Sequence, residues 1–201
     1  MVLILKILAI LVAYFIGSIN NAIIICRLKN IDIKSVGSGN AGATNTVRAL
    51  GKKYGIVVFL LDFLKGVIAT FAGKYFGVEY LCAIASVLGH VFPVYFGFKG
   101  GKGVSTSYGA LAVCDIRAAA ILGVLELILI LTIKIVSLAT LISFLLLPVV
   151  IFLFNGFNFD LLFWTSVVIC IMIFFTHRTN IVRLLNGTEN KFGNKNKGEK
   201  L

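Results

Sequence analysis

Long apolar runs separated by short polar, basic and Gly-rich stretches organise this chain. A helix needs about 20 apolar residues to cross a hydrocarbon core of about 30 Å. Seven segments stand out against that measure: 3–25, 54–73, 80–97, 103–114, 117–133, 138–154 and 160–176. The connections between them are mostly short, and no internal repeat is visible. The pattern therefore predicts an all-α integral membrane protein, one polytopic domain over 1–201 with a basic, flexible tail at about 191–201. Segment 103–114 would be only about 18 Å long as a helix, so it is expected to be tilted, cavity-lining or locally thinning the bilayer. The first run holds one cation, Lys6, and reaches Arg27 and Lys29 without a small-residue cleavage site. It reads as a retained transmembrane helix and not as a signal peptide.

Charge placement sets the expected orientation. All but Lys6, Lys65, Lys74 and Arg117 of the 19 Lys and Arg residues fall in the stretches 26–53, 98–102, the turn at Lys134, and the tail after 176. With seven spans these stretches share one side, and the bias of Lys and Arg toward cytoplasmic loops makes that side the cytoplasm. The expectation is N-terminus outside and C-terminus cytoplasmic. Composition agrees: 59% hydrophobic residues, mean hydropathy +1.02, and 13% charged residues that still sum to a net charge of +11. Cations clustered between apolar runs exclude a nucleic-acid-binding surface, which would spread them over a soluble face. Cys26, Cys82, Cys114 and Cys170 lack metal-ligand spacing and read as small buried hydrophobes. Asp62 and Lys65, at i,i+3 inside an apolar run, are expected to pair with each other or with a neighbour.

Candidate chemistry lies in the loops. Gly37-Ser38-Gly39-Asn40-Ala41-Gly42 satisfies G-x-G-x-x-G, but a transmembrane helix precedes it where a dinucleotide fingerprint requires a strand. The physics of the pattern still transfers, because Gly lets backbone N–H groups turn toward an anion and a following helix start adds partial positive charge. Ser38, Asn40, Thr44 and Asn45 add neutral donors, and Arg48 adds a planar fork suited to phosphate. The second loop, Gly97-Phe98-Lys99-Gly100-Gly101-Lys102-Gly103, is not a P-loop, yet it sets two Lys beside a helix start. His90 reads as a bundle-internal residue. Ser137 belongs to the third turn. His177 and Asn180 share a face at the end of the last span, where an imidazole can act as acid, base or phosphate donor. Acids are scarce on this side, only Asp32, Glu189 and Glu199, so the site suits an anion with more than one phosphate-like group and no Mg²⁺ cage. The residues alone leave three classes open: an enzyme acting on phosphates, a secondary transporter for an organic phosphate, and a structural membrane protein.

GSGNAGATNTVR, GHVFPVYFGFKGGKGVST and THRTNIVRLLNGTE resemble the three signature stretches of the bacterial acyl-phosphate:glycerol-3-phosphate acyltransferases, the PlsY family. The likeness covers nearly the whole chain, and three ordered motifs are highly specific. The resemblance implies transfer of a fatty acyl group from acyl phosphate to the 1-hydroxyl of glycerol 3-phosphate, giving lysophosphatidic acid and phosphate. It implies no cofactor, no metal, no acyl-CoA or acyl-carrier protein as direct donor and no obligate protein partner. The setting implied is the cytoplasmic face of the bacterial cell membrane, among membrane lipid. The soluble-type acyltransferase signature His-x-x-x-x-Asp is missing, since Tyr95 follows His90 and Val182 follows His177 at that spacing. Carried over by motif, Ser38 and Arg48, with Gly37, Gly39, Asn40 and Asn45 of the first loop, engage phosphate near the reaction centre. Gly100, Gly101, Lys102 and Gly103 hold glycerol 3-phosphate. His177 and Asn180 orient that substrate and its hydroxyl, Ser137 is a phosphate contact, and Glu189 is structural. Transfer is expected to be direct, and the proton acceptor is either His177 or a substrate phosphate oxygen.

Overall fold

The computed structural model describes residues 1–191, so the expected tail lies, from 192 onward, outside the described residues. Among the described residues every regular element is helical: α1 Val2–Gly17, α2 Asn21–Arg27, α3 Ala43–Leu50, α4 Lys52–Tyr75, α5 Glu79–Val91, α6 Val104–Cys114, α7 Ile116–Ile133, α8 Val136–Phe154, α9 Leu161–Thr176 and α10 Arg178–Leu185. Five segments are long and apolar enough to cross a membrane: Val2–Arg27, Lys52–Tyr75, Glu79–Phe96, Ile116–Ile133 and Val136–Phe154. A sixth forms if α9 and α10, bent by 61° at His177, count as one; α6 is a shorter apolar helix. Exposed Leu, Ile, Val and Phe cover the outer faces of α1, α4, α7 and α8, as expected where lipid is the solvent.

The first expected span is not one helix. α1 stops at Gly17, and Asn20 starts α2 by accepting from the Ile23 amide at 3.0 Å. The break frees carbonyls inside an apolar bundle, and Lys65 Nζ donates to two of them, Gly17 O at 2.8 Å and Ile19 O at 2.6 Å. The same ammonium lies 3.2 Å from Asp62 Oδ1, which also accepts from Asn21 Nδ2 at 2.8 Å. The expected Asp62–Lys65 pair thus exists, and its work is to close a broken helix. His90 stands beside it, but its Nδ1 is 3.8 Å from Asp62 Oδ1 and has no hydrogen-bond partner among the described residues. The helical part of 80–97 also ends early, at Val91, where Phe92-Pro93 turns the chain.

Small residues set the helix crossings. A Cβ on Gly17 would strike the Ser86 carbonyl and one on Gly89 the Tyr14 carbonyl, so α1 and α5 touch backbone to backbone. Gly66 and Gly109 do the same for α4 and α6, against Thr106 O and Phe63 O. Because the obstacle is backbone, it cannot swing aside. Gly109→Ala is expected to destabilise the purified protein by about 1–3 kcal/mol, read as a lowered midpoint in thermal unfolding in detergent. Gly123→Ala, where the nearest atom to an added Cβ is Tyr108 Cε1 at 3.9 Å, is its control. Equal midpoints for the two would refute this account of the crossing.

Candidate active site

The first Gly-rich loop is built by Asn45. Its Oδ1 accepts from the Ser38 amide at 3.0 Å, and its Nδ2 donates to Ile33 O at 3.0 Å and Val36 O at 2.9 Å. Gly37 and Gly39 take left-handed φ values of 56° and 69°, and a Cβ on Gly37 would sit 2.6 Å from Asn45 Oδ1. The two glycines therefore shape the loop, and Asn45 braces it from a position that also borders the cavity described below. What the loop presents is Ser38, Asn40, the first amides of α3 at Ala43 and Thr44, which are unmatched within the helix, and Arg48. Arg48 makes no hydrogen bond or ion pair among the described residues.

The second loop is anchored by its own amides. Gly101 N donates to His90 O at 3.2 Å and Gly100 N to Val91 O at 3.1 Å. Neither amide is left for a phosphate, and neither glycine lines the cavity described below. A Cβ on Gly101 would meet His90 Nε2 and the Ala41 carbonyl, so this glycine lets the two Gly-rich loops touch. Their product is the placement of Lys102. Thr176 Oγ1 donates to Lys102 O at 3.1 Å, and Lys102 Nζ donates to Asn180 Oδ1. Burial pulls the Lys102 ammonium down to about 8; Glu189 opposes that shift, while Arg183 and Arg48 add to it.

The bend between α9 and α10 carries the imidazole. His177 Nδ1 lies 2.8 Å from Ile173 O. A carbonyl only accepts, so Nδ1 carries the proton and Nε2 keeps its lone pair. His177 is 2% exposed, and burial, reinforced by the Lys102 charge, lowers its pKa to about 3 against the Ile173 carbonyl and Glu189. The ring is neutral at pH 7. Next to it Glu189 gathers three donors: Ser137 Oγ at 3.0 Å and Asn180 Nδ2 at 2.7 Å on Oε1, and Arg183 Nε at 2.8 Å on Oε2. Ser137 is not in a turn but in the first turn of α8. Burial would raise the Glu189 carboxyl, yet the hydrogen bonds from Arg183, Asn180 and Ser137 hold it below its usual range. Its stabilisation is therefore present above the ordinary carboxylate range and lost as acid titrates it. Glu189→Ala is expected to cost about 1.5–3 kcal/mol at pH 7 and almost nothing well below its pKa. Thermal midpoints at both pH values check this, and a pH-independent loss would contradict it.

One cavity of about 210 Å³ collects these groups. Ser38, Asn40, Asn45, Arg48, Lys102, Gly103, Ser137, His177, Asn180 and Glu189 line it; Gly37, Gly39, Gly100 and Gly101 do not. Between α4, α6, α7 and α8 its wall turns apolar with Phe59, Val104, Ile130 and Val136. It also reaches Glu126 and Thr140, which no motif pointed to. A lone acid inside the apolar run Leu125-Glu126-Leu127 was the available signal, since intramembrane ionisable residues are expensive to keep. Arg183 was visible only as a tail cation. The cavity thus offers two cations, a neutral imidazole lone pair and hydroxyl and amide donors above an apolar slot. That set can hold phosphate dianions and strip water from a hydroxyl beside them.

Residues 7–187 match the family model described as glycerol-3-phosphate acyltransferase. The glycerol-3-phosphate acyltransferase of Aquifex aeolicus (strain VF5) is 46% identical over 186 residues, covering 90% of this chain and 95% of that protein. The enzyme of the same name from Shouchella clausii (strain KSM-K16) is 43% identical over 195 residues, covering 92% and 95%. Among solved structures, the glycerol 3-phosphate form of PlsY (YgiH), an integral membrane glycerol 3-phosphate acyltransferase, is 42% identical with a TM-score of 0.89, covering 94% of this chain and 96% of that one. Its lysophosphatidic acid form superposes with a TM-score of 0.86.

Proposed function

Because the chain belongs to the glycerol-3-phosphate acyltransferase family and is an integral membrane acyltransferase, we propose that it transfers a fatty acyl group from acyl phosphate to the 1-hydroxyl of sn-glycerol 3-phosphate. The products are 1-acylglycerol 3-phosphate and inorganic phosphate. The observation that carries the reading is the meeting of Arg48, Lys102, His177 and Asn180 on one cavity that also has an apolar wall. Two phosphates and an acyl chain need that combination.

In the proposed mechanism Arg48, Ser38 and the start of α3 hold the acyl phosphate, and its tail runs along Phe59 and Ile130 toward lipid. Lys102 and Asn180 hold glycerol 3-phosphate, and Ser137 contacts the phosphate of the acyl donor. His177 Nε2 accepts from the 1-hydroxyl and aims its oxygen at the acyl carbonyl carbon. The new ester C–O bond forms, the bond from that carbon to the phosphate oxygen breaks, and the electron pair leaves with phosphate. The hydroxyl proton, shared with His177 Nε2 as the C–O bond forms, is passed on to the departing phosphate, a stronger base than an imidazole whose pKa is about 3. A mixed anhydride needs little more than charge neutralisation and alignment, so no acyl-enzyme is formed.

Seven spans with the N-terminus outside and the C-terminus cytoplasmic complete the proposal, with α6 as the short fourth span and the site on the cytoplasmic face of the bacterial membrane. The placement of cations on alternate connections supports it. The test uses purified protein in lipid with palmitoyl phosphate and glycerol 3-phosphate, following phosphate and lysophosphatidic acid together, beside Arg48→Ala and His177→Ala. Matched formation of both products, suppressed in both variants, is the expected result. Saturable uptake of glycerol 3-phosphate into vesicles without acyl transfer would replace the reading with a transporter.

A further inference from the structure

The cavity does not end in hydrocarbon. On its α7 and α8 wall Glu126 Oε1 accepts from Thr140 Oγ1 at 2.6 Å and Oε2 accepts from Tyr108 OH at 2.6 Å. Glu126 is 7% exposed and Thr140 1%, and both line the cavity. Ser143, one further step along the same face of α8, is fully buried beside the Tyr108 hydroxyl. Ser137, Thr140 and Ser143 thus run inward from the phosphate-binding end as a row of hydroxyls beside a carboxyl group. Cross-linking of α6, α7 and α8 explains the Tyr108 and Thr140 bonds. It does not explain why an acid, a group costly to keep at this depth, borders the space that an acyl chain must enter.

The depth is informative. Thr140 lies three residues beyond Ser137, about 4.5 Å deeper along the helix axis. In an acyl phosphate the third carbon of the chain is four bonds from phosphorus, about 5 Å in an extended chain at the per-bond advance of a polypeptide. With phosphate held at the level of Ser137, that carbon comes alongside Thr140 and Glu126. Each Glu126 oxygen has one donor here and room for a second.

We infer that Glu126 and Thr140 form a hydrogen-bonding subsite for a hydroxyl near the head of the acyl chain, so that the protein accepts 3-hydroxyacyl phosphates as well as plain ones. The inference rests on the acyl-transfer reading above and deepens its substrate class. The chain hydroxyl donates to Glu126 and replaces none of the existing bonds. A plain chain passes the same wall through its apolar side, Phe59 and Ile130.

The test compares 3-hydroxymyristoyl phosphate with myristoyl phosphate as donors to glycerol 3-phosphate, in the protein as it stands and in Glu126→Leu and Thr140→Val. The expected ratio of kcat/KM, hydroxylated over plain, is near or above one in the starting protein. It falls at least about tenfold in Glu126→Leu, the value of one buried hydrogen bond. Thr140→Val, which leaves the carboxyl in place, changes the ratio less than Glu126→Leu does and keeps the comparison open if that variant folds poorly. A starting protein that rejects the hydroxylated donor a hundredfold, or variants that leave the ratio unchanged, would overturn the subsite while leaving acyl transfer intact. No turnover of either donor would remove acyl transfer itself, and the subsite with it.

Discussion

Lys102→Met is expected to lower kcat/KM for glycerol 3-phosphate by about 10²–10³-fold, the cost of removing one preorganised donor from a developing or bound anion. The apolar stem is retained, so packing between the second loop and the end of α9 survives while the charge is lost. No solvent cation can take its place, because the loop is locked by Gly100 and Gly101 to the end of α5 and by Thr176 to α9. The pH profile is the sharper check. Burial pulls the Lys102 pKa down to about 8 in the unliganded protein, and under the proposed function its cationic form is the one that holds phosphate. The kcat/KM of the starting protein should therefore fall as pH rises through about 8, since kcat/KM reports ionisations of the free enzyme. The Met variant should lack that limb. A flat profile to pH 9 or so, or a Met variant within a few fold of the starting protein, would count against Lys102 as a substrate ligand.

His177→Ala is expected to lower kcat by about 10²-fold with a smaller change in KM, the scale at which a misplaced nucleophile loses its attack geometry. The bond to Ile173 O fixes the tautomer, so Nε2 is the atom lost to the reaction. Because burial keeps this imidazole neutral with a pKa of about 3, any ascending limb near pH 6–7 should come from the second ionisation of the substrate phosphate, at about 6, and should persist in the Ala variant. Steady-state kinetics between about pH 5 and 7 decide the point. A limb at ordinary histidine pH that vanishes in the Ala variant would make His177 a titrating base and move the proton away from phosphate.

These two residues also show what the sequence could carry. Lys102 and His177 were legible as residues that would meet at one cavity because their signals are local: a Lys in a Gly-rich turn at a helix start, an imidazole at the end of an apolar run. Asp62 and Lys65 were legible as a pair for the same reason, three residues apart on one helix. The partners that give them meaning were not legible. Lys65 closes the Gly17 and Ile19 carbonyls 48 and 46 residues away, a relation no periodicity contains. The break itself had a signal, since Ser18 and Asn20 interrupt the apolar run and Asn is a favoured N-cap, but hydropathy averaging erased it. The glycines were assigned to anion binding because glycine permits exposed amides; in the fold the amides of Gly100 and Gly101 face His90 and Val91 carbonyls. A residue type can state what backbone geometry is allowed, and only tertiary contacts say which partner uses it. Glu126 was passed over for the opposite reason, as one acid in a run otherwise apolar enough to span.

The interrupted first segment has a bearing on biogenesis. Residues 2–27 leave the ribosome before Lys65 exists in the nascent chain. Within a bilayer an unmatched carbonyl costs several kcal/mol, so a newly inserted N-terminal segment is held to an uninterrupted helix. Docking of α4 brings the ammonium that satisfies the Gly17 and Ile19 carbonyls and so stabilises the interruption. Asn20, whose Nδ2 reaches Ala41 O at 3.4 Å once the break is made, then ties the first loop to the same event. The conformation of the first Gly-rich loop is thereby tied to the docking of a later helix.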